Sequence, residues 1–366
     1  MEKIQLIQDL MNMKGIILHG GHGTRLRPLT HTGPKQLLPI ANKPMYEYCL
    51  ESIIDAGINE IAIIIGGVGS NKVREYYGDG KKFGVNITYI KQEEPKGIAH
   101  AIRLCKEFVN DERFLVFLGD NIIQKSIKNF VENFKNSDYD STVLLCEVDN
   151  PSRFGIADVK DGKITKITEK PKNPTSNLAV TGIYLLTPLI FKIIDNLKPS
   201  WRNELEITDA LDNLLKQNQN ISYEKITDYW KDTGTPDDII HANGEIIKKM
   251  EKKFEGKKER NVVLDGKIIV GQNSHIESNV KIIAPVIIGS NCKILENSII
   301  GPNVSIGDNS IISVTRLENS IIMDNCKVNS IVKIKNSIIA SKSEIKGNSL
   351  SDDKIFLLGE GSKISL

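Results

Sequence analysis

The chain has 366 residues, 40% hydrophobic and 26% charged, which is enough for two or three domains with buried cores. A formal net charge of +2 provides no basic field for nucleic acid, and five cysteines without a CxxC pair indicate neither a disulfide framework nor a zinc site. No apolar run reaches the length of a membrane span, and the N-terminus carries no signal-peptide pattern. We therefore expect a cytoplasmic protein without nucleic-acid or membrane partners.

Short β-branched runs alternate with helical patterns from Met13 to about Met250. Five runs are predicted to be strands: 15–18, 61–65, 87–90, 114–118 and 142–147. Apolar spacing near the helical period predicts helices at 45–56 and 99–108. Because continuously apolar strands are covered on both faces, this order predicts a Rossmann-like, mostly parallel α/β domain at 13–247. Residues 1–12 precede the first strand pattern and are interpreted as an N-terminal extension.

The first predicted strand leads into a glycine-rich loop, residues 18–39, which reads LHGGHGTRLRPLTHTGPKQLLP. Glycine has no Cβ, so three backbone amides of this loop can converge on an anion: Gly20, Gly21 and Gly23. Arg25 adds a planar guanidinium and Lys35 a compact ammonium, and both groups bind phosphate oxygens. The spacing matches neither the Walker A loop nor the dinucleotide fingerprint. The loop predicts a phosphate site of another kind, with a flexible glycine turn as the alternative.

Two acids lie where a metal ion could be held. Asp120 follows the predicted strand 114–118 in the string LGDN, and Asp232 lies in WKDTGTP, which reads as a turn. Carboxylates at the carboxyl ends of strands face the ligand crevice of an open α/β sheet. Mg²⁺ is typically held by one or two carboxylates plus substrate phosphates. The two acids are therefore predicted metal ligands, although either alone could be an ordinary turn residue.

The last third of the chain is repetitive. An amphipathic helix is predicted at 237–254 and a linker at 248–262. An aliphatic residue then recurs every six positions: Val270, Ile276, Ile282, Ile288, Ile294, Ile300, Ile306 and Ile312. This period predicts a parallel β-helix of hexapeptide repeats at 263–366. The register slips across 313–320, where we expect a protruding loop.

Seven strings occur in the order in which a known family shows their counterparts: GGHGTRLRPLT, PKQLLP, LGDN, EKP, GIY, ELEITDA and WKDTGTP. Across residues 14–245 the chain resembles the sugar-1-phosphate nucleotidylyltransferases. Within that family it is most similar to the long form of the glucose-1-phosphate thymidylyltransferases. The resemblance implies that the β-helix is left-handed.

The resemblance also implies roles for the residues at matching positions. Catalysis is assigned to Arg25, Lys35 and Lys170. Nucleotide binding is assigned to Gly20, Gly21, Gly23, Thr24, Gln92 and Gly97. Sugar-phosphate binding is assigned to Gly155, Glu169, Lys170, Gly182 and Arg202. Asp120 and Asp232 are implied to hold Mg²⁺, the expected cofactor.

Gln92 is implied to read the thymine edge, because an amide offers both a donor and an acceptor. A solvent-facing glutamine in a polar loop is the alternative. The implied reaction joins dTTP and α-D-glucose 1-phosphate to give dTDP-glucose and pyrophosphate, and we expect a homo-oligomer. Three alternatives stay open: UTP or GTP with another hexose 1-phosphate, an acetyltransferase β-helix that would use His275 as its base, and a non-catalytic regulatory subunit.

Overall fold

The structure, a computed structural model, describes residues 13–18, 23–348 and 353–366. The extension interpreted at 1–12 lies outside the described residues, as do Gly20 and Gly21. The chain divides into two compact units. The first contains Tyr46–Asp232 with the described strand before the glycine-rich loop, and the second contains Thr233–Leu366 with the described part of residues 22–45.

Thirteen strands precede residue 250 in the described chain: β1 Met13–Leu18, β2 Pro39–Ile40, β3 Lys43–Pro44, β4 Glu60–Ile65, β5 Asn86–Lys91, β6 Arg113–Leu118, β7 Asn121–Ile123, β8 Ser141–Glu147, β9 Gly155–Lys160, β10 Lys163–Glu169, β11 Leu178–Leu186, β12 Ile221–Lys225 and β13 Trp230–Asp232. The described α-helices are α1 Met45–Asp55, α2 Ser70–Tyr77, α3 Ile98–Leu104, α4 Lys106–Val109, α5 Lys128–Lys135, α6 Leu189–Ile194, α7 Ile207–Lys216 and α8 Pro236–Lys249. Each of these helices is too short or too polar to cross a bilayer.

The first unit is built on a nine-stranded sheet with the order β10-β9-β11-β6-β1-β4-β5. Strands β6, β1, β4 and β5 are parallel, as predicted from their continuous apolar runs. Strand β11 runs antiparallel to β6, and β8 and β12 extend the sheet from β11. The chain is buried on both faces of the sheet at β1, β4 and β6 because helices cover it, which confirms the predicted Rossmann-like α/β domain.

A small antiparallel pair lies beside this sheet. Strand β7 begins three residues after β6 ends and pairs with β13, with Asp232 opposite Asn121. Thr235 then caps α8, because its hydroxyl oxygen accepts a hydrogen bond from the backbone N–H of Asp238 at 3.3 Å. The helix predicted at 237–254 therefore begins at Pro236, a favoured first helical residue, and ends at Lys249.

Residues 23–45 belong to the second unit because their backbone and side chains bond to it. The Ala41 N–H donates to Asn243 Oδ1 of α8 at 2.8 Å, and Asn42 Nδ2 donates to the Ile306 carbonyl at 2.7 Å. At the other end of the same unit, a Cβ on Gly359 would lie 3.2 Å from the Pro28 carbonyl oxygen. The second unit thus holds the arginine-bearing half of the glycine-rich loop.

Nineteen short strands form the rest of the second unit: β14 Lys253–Phe254, β15 Lys257–Lys258, β16 Val263–Asp265, β17 Ile268–Val270, β18 His275–Ile276, β19 Lys281–Ile283, β20 Val286–Ile288, β21 Lys293–Ile294, β22 Ile299–Ile300, β23 Val304–Ile306, β24 Ile311–Ser313, β25 Arg316–Glu318, β26 Ser320–Ile322, β27 Lys327–Ile331, β28 Lys333–Lys335, β29 Ile338–Ile339, β30 Glu344–Asn348, β31 Leu357–Leu358 and β32 Lys363–Ser365 in the described chain. They form three all-parallel sheets, which confirms the predicted parallel β-helix and is consistent with the left hand that the resemblance implies. Strands β14 and β15 pair inside these sheets, so the predicted linker 248–262 contributes to the β-helix. The predicted domain boundaries otherwise remain predictions.

The loop predicted at 313–320 is wrong. Strand β25 lies inside that segment and pairs with β22 and β28, and Leu317 is buried in the core. Ile288 pairs with Ile306, which is 18 residues later, but Ile306 pairs with Ile322, which is only 16 residues later. The register slips because this turn of the β-helix is two residues shorter than the turn before it, and no loop is inserted.

Candidate active site

The structure brings the two predicted metal ligands into neighbouring positions of the first unit. Asp120 lies between β6 and β7, and Asp232 ends β13 opposite Asn121, the residue that follows Asp120. Among the described residues, no group of three or more His, Cys, Asp and Glu side chains could hold a metal ion. Two carboxylates completed by phosphate oxygens are the donor set that Mg²⁺ accepts, so these residues fit that ion.

Asn121 holds together the segments around Asp120, and the sequence analysis gave it no role. Its side chain is 2% exposed. Nδ2 donates to Asp120 Oδ1 at 3.0 Å, while Oδ1 accepts from the Gly182 N–H at 3.2 Å and from Trp230 Nε1 at 2.7 Å. One amide therefore orients the Asp120 carboxylate and ties β11 and β13 to it. The only sequence signal was its place in the LGDN string.

Gly182, on β11, lies against Asn121. A Cβ there would lie 2.7 Å from Asn121 Nδ2 and 2.7 Å from Leu118 Cβ, so only glycine lets β11 approach so closely. Gly119 is constrained in the same way, since a Cβ would lie 1.7 Å from Tyr46 Cε1. The contacts of Gly182 are with Asn121 and Leu118, whereas the other four predicted sugar-phosphate residues lie together elsewhere in the unit.

Those four residues are Gly155, Glu169, Lys170 and Arg202. Glu169 Oε1 lies 3.3 Å from both Lys170 Nζ and Arg202 Nη1, and Glu169 Oε2 accepts from Thr208 Oγ1 at 3.0 Å. A Cβ on Gly155 would lie 2.5 Å from Thr208 Cγ2, so a larger residue would push the two segments apart. Lys170 has a positive φ of 41°, a strained conformation for a residue with a Cβ, and such strain is common at functional sites.

Arg202 contacts three carboxylates in this cluster. Besides Glu169 it contacts Glu204 at 3.1 Å and Glu206 at 3.3 Å. Burial raises the pKa of the Glu206 carboxyl, and the nearby charge of Glu169 raises it further. Two cations held among three carboxylates can receive a phosphate while the carboxylates accept sugar hydroxyls. Glu206 and Thr208 lie in the ELEITDA string, but their contacts could not be read from it.

Gln92 and Gly97, two of the predicted nucleotide-binding residues, are also brought together. Gln92 Nε2 donates to the Gly97 carbonyl at 3.4 Å, and Gly97 has a φ of +99° with no room for a Cβ against the Leu205 backbone. The Leu205 N–H donates to the Lys96 carbonyl at 2.8 Å, and its carbonyl accepts from the Ala99 N–H at 3.0 Å. Leu205 thus closes the loop on both sides of Gly97.

The predicted phosphate residues of the glycine-rich loop that the structure describes, from Gly23 onward, belong to the second unit. Gly23, with a φ of +60°, precedes a 3₁₀ turn at Thr24–Leu26, and its carbonyl accepts from Thr30 Oγ1 at 2.8 Å. Arg25 lies against Gly234, where a Cβ would be 3.1 Å from Nη2. Lys35 is 7% exposed and begins a second 3₁₀ turn. The loop is therefore shaped by its own turns and by Gly234.

His275, the base that an acetyltransferase would require, lies on β18. Its Nε2 is 2.8 Å from Glu259 Oε1, and Glu259 Oε2 accepts from the Ser278 hydroxyl at 2.6 Å. Hydrogen bonds from Ser278 and His275 lower the pKa of the Glu259 carboxyl. These contacts join His275 to Glu259 and Ser278 on the outer face of the β-helix.

The family follows from comparison with known proteins. The protein-family profile described as "Nucleotidyl transferase" matches residues 14–249, and that of the "GMPPB C-terminal domain" matches residues 282–365. The chain belongs to the nucleotidyl transferase family. As a member of this family, the chain is a nucleotidyltransferase.

Two relatives match this nucleotidyl transferase along nearly its whole length. The low-salt glycan biosynthesis nucleotidyltransferase Agl11 of Haloferax volcanii is 40% identical and covers 97% of this chain and 100% of its own. A glucose-1-phosphate thymidylyltransferase of Streptomyces antibioticus is 38% identical, with 97% and 99% covered. A solved structure from Bacillus anthracis, assigned as a glucose-1-phosphate thymidylyltransferase in complex with a sucrose, is 42% identical with a TM-score of 0.62 and covers 66% of this chain and 98% of its own.

Proposed function

We propose that this nucleotidyl transferase joins dTTP and α-D-glucose 1-phosphate to give dTDP-glucose and pyrophosphate. The observation that carries the proposal is the β7–β13 pairing, which sets Asp120 and Asp232 in neighbouring positions within the unit that also holds the sugar-phosphate cluster. The choice of thymidine and glucose is supported by the name of the Streptomyces antibioticus relative and by the Gln92 loop.

In the proposed reaction, a phosphate oxygen of the sugar 1-phosphate attacks the α-phosphorus of dTTP in line. A new P–O bond forms, the bond to the β-phosphate breaks, and pyrophosphate leaves with the electron pair, so no proton transfer is required. Such phosphoryl chemistry depends mainly on positioning and charge neutralisation. Asp120 and Asp232 would hold Mg²⁺, which when bound offsets the repulsion between two anionic reactants and polarises the α-phosphate.

The protein's own cations carry the remaining roles in this proposal. Lys170 and Arg202 hold the attacking phosphate, since both already lie within 3.3 Å of a Glu169 oxygen and can exchange that contact for phosphate oxygens. Glu169 then accepts the sugar hydroxyls. Arg25 stabilises the charge that develops on pyrophosphate, and Lys35 contacts the triphosphate. Gly23 and Thr24 contribute backbone amides to the same phosphates, and Gln92 reads the base.

The test combines a substrate panel with one variant. We expect pyrophosphate release to be fastest with dTTP and α-D-glucose 1-phosphate among dTTP, UTP, GTP, dCTP and several hexose 1-phosphates. Asp120→Asn should lower that turnover at least about 1000-fold with an unchanged circular dichroism spectrum, since it removes a charged ligand. The matched control Asp111→Asn, at an exposed site, should retain full turnover. Faster release with UTP or GTP, or near-normal turnover in Asp120→Asn, would contradict the assignment.

A further inference from the structure

A histidine that the motifs did not single out lies against the base-reading glutamine. His100 is on α3, and its Nδ1 lies 2.9 Å from Gln92 Nε2. The same Gln92 nitrogen lies 3.4 Å from the Gly97 carbonyl oxygen. Gln92 and His100 are both half-buried, so the pair is shielded from bulk water while it stays reachable by a ligand.

These two contacts determine which way the amide points. A backbone carbonyl only accepts hydrogen bonds, so the Gln92 atom that faces Gly97 is the donating nitrogen. The same nitrogen faces His100, and His100 Nδ1 must then accept, with the ring proton on Nε2. An amide nitrogen has two hydrogens, and the two contacts use both. What Gln92 can offer a ligand is therefore its carbonyl oxygen, Oε1.

The bases differ at the ring nitrogen that such an oxygen would meet. Thymine and uracil carry a hydrogen on N3, whereas cytosine N3 is an acceptor and would face Oε1 lone pair to lone pair. A fixed acceptor therefore discriminates between thymine and cytosine, while an amide that is free to turn over would serve either base.

We propose that His100 is a positioning residue for nucleotide selection: by accepting from Gln92 Nε2 it holds Oε1 toward the base and favours bases with a ring N3–H. This inference rests on the proposed use of a thymidine nucleotide. His100 acts through Gln92 and does not touch the base itself.

The surroundings of His100 keep it in the accepting state. Burial lowers its pKa from the ordinary value, and the positive charges of Arg103 on the same helix and Lys96 in the preceding loop lower it further, while Glu94 opposes them. The neutral ring therefore persists to lower pH than in an ordinary histidine. Below the lowered pKa, Nδ1 gains a proton and can no longer accept from Gln92.

Two variants with the same number and branching of side-chain heavy atoms separate the hydrogen bond from packing. His100→Asn keeps an acceptor oxygen near the place of Nδ1, whereas His100→Leu removes it. We expect His100→Leu to lower the ratio of kcat/KM for dTTP over dCTP by about 3- to 10-fold, the value of one neutral hydrogen bond. The loss should lie mainly in KM, and His100→Asn should keep the ratio of the unsubstituted protein. Equal ratios in all three proteins, or equal losses in both variants, would overturn the proposal.

A pH profile provides a second readout. In the unsubstituted protein the KM for dTTP should rise as pH falls through the lowered pKa of His100, and this rise should be smaller in His100→Asn, which does not titrate. Titration of the nucleotide phosphates contributes equally to both proteins and cancels in the comparison. An identical rise in both proteins contradicts the proposal.

The two proposals fail in distinguishable ways. If the unsubstituted protein releases pyrophosphate with UTP instead of dTTP, the assignment of thymidine is wrong. The role of His100 is then decided by the same variants with UTP and CTP, which differ at the same ring nitrogen.

Discussion

The sheet of the first unit and the β-helix of the second use polar side chains in opposite ways. In the β-helix a polar residue meets its counterpart one turn later, as when Asn273 Nδ2 donates to Asn291 Oδ1, 18 residues on. In the sheet, Asn121 joins Gly182 and Trp230, which are 61 and 109 residues away. The repeat makes a partner predictable from a residue number, whereas the active-site partners depend on the completed fold. A substitution should therefore have a local, structural effect in the β-helix and a functional effect in the sheet of the first unit.

The largest effect is expected from a cavity in the β-helix core. Ile294 is fully buried between Ile276 and Ile312 on neighbouring turns. Ile294→Ala should lower the free energy of unfolding by about 2–5 kcal/mol, because it removes buried methyl groups and leaves a cavity. Urea denaturation followed by circular dichroism measures this loss. Ile331→Ala makes the same change at a side chain that is 56% exposed and should cost less than about 0.5 kcal/mol. Equal losses in the two variants would show that burial along the repeat does not set stability.

A substitution at Asn121 is expected to have a smaller free-energy effect than Ile294→Ala, and that effect should be on function. Asn121→Leu keeps the number and branching of the side-chain heavy atoms while removing the donor to Asp120 and leaving the Gly182 and Trp230 N–H groups without their acceptor. Residues that orient a metal ligand typically contribute 10–100-fold, so we expect turnover or the apparent Mg²⁺ affinity to fall by about that factor. Steady-state kinetics over a Mg²⁺ titration measures both quantities. The control Asn133→Leu removes an exposed hydrogen bond to Glu224 and should keep both values, and turnover within twofold in Asn121→Leu would refute the orienting role.

The smallest effect is expected at an asparagine turn of the β-helix. Asn291 has a φ of 57°, in the left-handed region that asparagine and glycine tolerate better than alanine. Asn291→Ala and Asn291→Gly both lose the contact with Asn273, so the difference between them isolates the backbone strain. We expect the alanine variant to be less stable by about 1 kcal/mol, measured from urea midpoints. Equal midpoints would show that asparagine is preferred at this turn for its side-chain hydrogen bond with Asn273 and not for its tolerance of a positive φ.

Much of the fold could be predicted because it follows from short-range patterns of apolar residues in the sequence. The five predicted strands lie within β1, β4, β5, β6 and β8, and the six-residue period indicated the β-helix. The loop predicted at 313–320 was wrong because a broken period does not say whether residues were gained or lost. The motifs identified Asp120, Asp232 and Glu169 as candidate site residues. They did not identify Asn121, Thr208 or His100, whose contacts form only in the folded chain.

Leu205 has a consequence for how the two substrates influence each other. Its backbone closes the Lys96–Ala99 loop, while its neighbours Glu204 and Glu206 both contact Arg202. One short segment therefore orders both the loop that we propose binds the nucleotide and the cluster that we propose binds the sugar phosphate. A ligand that immobilises one end of this segment reduces the entropy that the other ligand must still lose on binding. We expect the substrates to bind synergistically, and by thermodynamic reciprocity each must raise the affinity of the other by the same factor.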